Sequence, residues 1–101
     1  MDMDVRNEGE SGDVHVWSYA VREQSGRYID EFIATVQKLA RASQEDVERA
    51  VIQAIRQLND AYEEVANADN VADSFAAFKK LVGAIARTDA VFKIASVRGW
   101  L

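Results

Sequence analysis

His15 is the one imidazole in a chain of 101 residues, and no cysteine accompanies it. A nucleophilic triad needs a nucleophile and an orienting carboxylate around that ring, and a zinc site needs several imidazole or thiolate ligands converging on one point. A lone His with no motif around it supplies neither. Without cysteine there is no thiolate nucleophile, no disulfide framework and no iron–sulfur or zinc-ribbon site. Carboxylates come in groups at Asp30-Glu31, at Glu45-Asp46 with Glu48, and at Glu63-Glu64. A di-metal helical bundle combines such groups with Glu-x-x-His repeats, which this sequence lacks. Glycoside hydrolysis needs two carboxyls across a cleft, and a small helical bundle seldom encloses one. Glycines stand singly at 9, 12, 26, 83 and 99, so no phosphate-cradling loop is present. These residues support no catalytic, cofactor-binding or metal-binding position. Neither an enzyme nor a cofactor is expected.

Asp73-Ser74-Phe75 opens an apolar-periodic stretch. Over two residues it resembles the Asp-Ser-Leu attachment site of acyl carrier proteins, where a serine at a helix start carries a phosphopantetheine arm. The resemblance implies a carrier role for Ser74. The chain departs from the carrier pattern twice: Val71-Ala72 stands where carriers have a preceding Gly, and Lys79-Lys80 follows where they present an acidic helix. A serine in the first turn of a helix accounts for Ser74 without a prosthetic group.

The formal charge of −5 is unevenly spread. Residues 1–13 hold five acids and one base, residues 14–73 eleven acids and six bases, and residues 74–101 one acid and five bases. The five bases, Lys79, Lys80, Arg87, Lys93 and Arg98, are the candidate contacts to an anionic surface, nucleic acid or membrane. An acidic domain lacks the basic footprint of a nucleic-acid binder. On the stretch that could serve as a recognition helix, Glu45, Asp46 and Glu48 precede Arg49, Gln53, Arg56 and Gln57 and would repel phosphate. Nucleic acid is therefore not expected as the partner. No apolar run approaches the ~18 residues of a membrane span, and residues 1–13 lack the apolar core of a signal peptide. Together with the lack of cysteine, this places the expected location in the cytoplasm.

The elements that must position these residues are helical. Residues 1–13 lack apolar periodicity and are expected to form a mobile acidic tail before a single domain over 14–101. Residues 14–21 fit both a helix and an alternating strand; helix is favoured, with an irregularity at Ser25-Gly26. Ile29, Phe32, Ile33, Val36, Leu39 and Ala40 form one apolar stripe on a helix ending near Ala42. Ser43 is placed to cap the next helix, accepting from the backbone N–H of Glu45 or Asp46. Val47, Val51, Ala54, Ile55, Leu58, Tyr62 and Val65 continue the stripe through about Ala66, with Ile55 central. Asp69 or Asn70 caps a third helix bearing Phe75, Phe78, Leu81 or Val82, and Ile85. Gly83 weakens that helix by up to ~1 kcal/mol unless it serves close packing. Thr88-Asp89 resembles a fresh cap before a short fourth stripe of Ala90, Ile94, Val97 and Leu101, with a strand over 91–97 as the alternative. Gly99 ends that element and releases Trp100-Leu101.

The expected fold is all-α: a small three- or four-helix bundle, or a helical hairpin that dimerises, with a disordered acidic N-terminal tail. The 23 residues of 44–66 rise about 35 Å, more than a domain of this size needs, which points to self-association. The expected function is a protein–protein interaction module (an adaptor, inhibitor or regulatory subunit) that partners another protein or itself as a homodimer. The alternative is a binder of anionic surfaces through the basic last third. Trp17, Tyr19, Phe92 and Trp100 are the candidate partner contacts, because aromatics lie near both ends and are enriched in interface centres. Trp100 is expected either to fold back onto the core or to enter a partner.

Overall fold

A computed structural model describes the backbone of residues 8–101 and the side chains of residues 22–101. Three helices follow one another: α1 (Glu8–Leu39), α2 (Gln44–Ala66) and α3 (Val71–Val97). The described residues contain no strand, and both stretches that fitted strand or helix, 14–21 and 91–97, lie in helices. The tail expected over residues 1–13 falls partly within α1, which begins at Glu8, and otherwise outside the described residues.

Local chemistry sets the helix ends. The Ser43 hydroxyl accepts from the Asp46 backbone N–H at 3.1 Å, and Glu45 and Asp46 lie in the first turn of α2, where the helix dipole favours acids. Asn70 caps α3: its Oδ1 accepts from the Asp73 N–H at 2.8 Å, while its Nδ2 donates to the Asp73 carboxylate at 3.0 Å. At the other end of α3, Gly99 adopts φ 77°, a left-handed value that a side chain would resist. That turn lets Gly99 N–H donate to Ser96 O at 3.1 Å and Trp100 N–H to Ala95 O at 2.8 Å, the paired bonds of a Schellman cap.

Two expectations are corrected. No break occurs at Thr88-Asp89, so the stretch expected to form a fourth helix is the last part of α3. The Thr88 hydroxyl donates back to Ala84 O at 2.8 Å inside α3 instead of capping a new element. The irregularity expected at Ser25-Gly26 is also absent, and α1 runs through both residues. Tyr28 and Glu31, just beyond, bond to Asp89 and Arg87 of α3, and this docking holds the glycine helical. Gly26 is exposed, and a Cβ added there meets nothing within 4 Å. Gly26→Ala is therefore expected to stabilise the protein by about 0.5–1 kcal/mol, read as a raised midpoint in urea.

The helix α3 is the centre of the fold and packs against both others. Its buried positions divide into two stripes at helical spacing. Ala77, Ala84, Thr88, Val91 and Ala95 form one, and Gly83, Ala86, Ala90 and Ile94 the other. The first meets α2, where Thr88 Oγ1 lies 3.5 Å from Ala54 O. The second turns toward α1, with the Tyr28–Asp89 and Glu31–Arg87 pairs on either side of it. Most contact positions are alanine, which lets helix axes approach toward the short end of the usual ~8–10 Å. Larger apolar groups gather at the α1–α2 turn: Val47, Val91 and Ile94 are buried there, with Val36, Leu39, Val51 and Trp100 packed around them.

The stripe on α2 differs in register from expectation. Val47, Ala54 and Ala61 are the buried positions. Ile55, expected at the centre, is 40% exposed. One residue along a helix is a rotation of about 100°, and α3 contacts the alanine side of a wide apolar band.

Candidate functional site

The basic residues of α3 and its cap do not form one free stripe. Lys80 pairs with Glu64 at 3.2 Å. Arg87 spans the two outer helices, donating to Glu31 of α1 at 3.2 Å and to Gln57 of α2 at 3.1 Å. Arg98 donates to Ala42 O at 2.9 Å and stacks 4.4 Å over the Trp100 ring, so its cation serves the carbonyl end of α1. Lys79 lies 5.4 Å over the Phe75 ring, and Lys93 is exposed.

Of the candidate aromatics, Trp17 and Tyr19 lie outside the described side chains, as does His15. Phe92 is half-buried on α3. Trp100 folds back against the cluster at the α1–α2 turn and is not released by Gly99. Ser74 sits in the first turn of α3, half-buried, with its backbone N–H donating to Asn70 O at 2.9 Å.

Two depressions mark the polar side of the molecule. One, of about 390 Å³, lies between α1 and α2 over a floor of Arg87 and Val91, with Thr35 and Lys38 on one wall and Gln53 and Gln57 on the other. The second, about 680 Å³ and open, is lined by Asp60, Glu63, Glu64, Asp73 and Lys80. Among the described residues, no group of three His, Asp or Glu is placed to hold a metal ion.

The opposite side is apolar, and spacing alone did not reveal it. The two buried stripes of α3 leave a third, with Phe78, Val82, Ile85 and Phe92 outside both seams and Asp89 at its edge toward α1. Hydrogen bonds and ring contacts fix which flanks of α1 and α2 adjoin it. Tyr28 reaches Asp89 with a 2.6 Å hydrogen bond and stacks on Phe32, so Phe32, Val36 and Ile29 follow on that side of α1. The hydrogen bond to Asp89 holds the Tyr28 hydroxyl above its ordinary pKa, with desolvation and the carboxylate's charge adding to the effect. On α2, Gln53 and Gln57 face the groove. Val51, Ile55, Leu58 and Tyr62 lie across the Val47–Ala54–Ala61 stripe from them, beside the free stripe of α3.

The three helices therefore form a layer with a charged groove on one face and an apolar face on the other. Ile29, Ile33, Ile55, Tyr62, Phe78 and Ile85 are each between 38% and 65% exposed, with Ile33 at the outer edge. Their exposed parts amount to nearly three whole large side chains, about 600 Å² at ~200 Å² each. That reaches the upper end of the largest apolar patch on an ordinary monomer, ~300–600 Å². No helix among the described residues is long and apolar enough to cross a membrane.

The chain matches no family model, no curated protein and no solved structure.

Proposed function

We propose that this protein is a non-catalytic protein–protein interaction module of the cytoplasm, acting as an adaptor, inhibitor or regulatory subunit through the apolar face of its three-helix layer. The observation behind this role is the row of large side chains left in solvent on the three helices while alanines occupy the seams. Burial of a contiguous apolar surface is the main favourable term in association. A protein that kept this surface wet for no purpose would carry an aggregation liability. The aromatics of the binding surface become Phe78, Phe92 and Tyr62. Trp100 packs on the cluster at the α1–α2 turn, half-buried, and this reading gives it no central part in the contact.

Binding to an anionic surface through Lys79, Lys80, Arg87, Lys93 and Arg98 is the weaker alternative, because Lys80 and Arg87 are neutralised by carboxylates and Arg98 is spent on carbonyls. The two roles separate by salt. Apolar docking persists as ionic strength rises, whereas phosphate contacts weaken steeply. The test is capture of partners by the full chain at low and high salt, with Phe78→Asp as the control bait. Specific partners, or self-capture, retained at high salt and lost with Phe78→Asp are expected. Retention confined to low salt would favour the anionic alternative, and no retention in any arm would overturn both.

A further inference from the structure

We propose that the occupant of the apolar face is a second copy of this chain, docked with its α3 antiparallel across the first to give a two-layer, six-helix dimer with a two-fold axis at Ile85. The inference rests on the interaction role proposed above and names its partner.

The free stripe of α3 is built symmetrically. Phe78, Ile85 and Phe92 are spaced seven residues apart, two helical turns, with Ile85 at the midpoint. An isologous interface requires that when residue i meets residue j, j also meets i. Antiparallel α3 helices crossing at Ile85 satisfy this: each Ile85 meets its own copy, and each Phe78 meets a Phe92.

The area agrees. The exposed parts of the six large residues come to about 600 Å², and half-buried Phe92, Val51 and Leu58 extend the patch. A standard interface buries ~800 Å² per partner. The architecture also agrees, since domains are built from two packed layers around one core and here α1 and α2 flank α3 in a single layer. A copy laid on the apolar face supplies the missing layer and leaves both charged grooves in solvent.

The experiment is sedimentation equilibrium of the full chain, with two substitutions at the axis. The wild type is expected at twice the 11.3 kDa of one chain. Ile85→Asp sets like charges against each other at the axis and is expected to sediment as a monomer that keeps its helical circular dichroism, because Ile85 is 38% exposed in the single copy. Mixing Ile85→Asp with Ile85→Lys is expected to restore the doubled mass. Should the aspartate variant fail to fold, Ile85→Cys decides: the chain has no other cysteine, so oxidation is expected to link two chains at the axis. Gln53→Cys, exposed on the groove side of α2, is expected to stay unlinked. A monomeric wild type overturns the dimer, as does a dimer indifferent to Ile85→Asp or not cross-linked through Ile85→Cys. A monomer whose salt-resistant capture of another protein is lost with Phe78→Asp leaves the interaction role standing. A monomer that captures nothing ends both.

Discussion

Replacing Ala54 with aspartate is expected to remove most of the cooperative melting transition. Ala54 is 5% exposed on the face of α2 that meets α3, with Thr88 of α3 beside its carbonyl and Val91 in the same buried cluster. Arg87 lines the groove beside Ala54 but is already engaged by Glu31 and Gln57, so the new carboxylate would have to compete for it from within the seam. An unpaired buried charge costs about 3–5 kcal/mol, and a domain of this size has only ~5–15 kcal/mol in total. The check is thermal circular dichroism of the helical signal. Ile55→Asp, one residue on, is the matched comparison. Its carboxylate points about 100° away and stays hydrated in the single chain, so helix content is expected to survive there. Equal melting of Ala54→Asp and wild type would mean that α2 is rotated by a residue and that Ile55 belongs in the seam.

Ala90→Leu is expected to separate α1 from α3. Ala86 and Ala90 are both fully buried on the α3 stripe that turns toward α1, and a seam lined by alanine has no room for three more carbons. Overpacking a well-filled seam costs about 1–3 kcal/mol, and the upper end is expected here because rigid helices cannot yield locally. The Tyr28–Asp89 bond reports the event. In the wild type that bond holds the Tyr28 pKa above its ordinary value of 10.0. Its stabilising contribution is therefore full below the unfolded tyrosine pKa and is lost as pH rises through the raised folded value. In Ala90→Leu, ultraviolet titration of tyrosinate is expected to show Tyr28 returning toward its ordinary value, together with a lower urea midpoint. A variant with unchanged tyrosine titration and stability would mean that α1 does not rest on this stripe.

The amino-acid order by itself determined what is local. Ser43 and Asn70 carry the side-chain acceptors that start α2 and α3, Gly99 is the residue that tolerates the left-handed turn after Arg98, and the unbroken apolar period over 44–66 makes α2 a single helix. Each depends on bonds spanning a few residues, so a short window of sequence contains the cause. The fourth helix was misread for a related reason. Thr88 and Asp89 have cap chemistry, but a threonine inside a helix can bond to its own preceding turn, and burial against α2 selects that option. The tertiary structure alone decided which side of each apolar band is used. On α2, periodicity assigns Ala54 and Ile55 to one stripe, and hydrophobicity ranks isoleucine first. Packing reverses the rank, because neighbouring helices approach most closely where side chains are smallest, so alanines take the seams and Ile55, Phe78 and Ile85 are left on one outer face. That face is assembled from residues dozens of positions apart on three helices, and it exists only once α3 lies between α1 and α2.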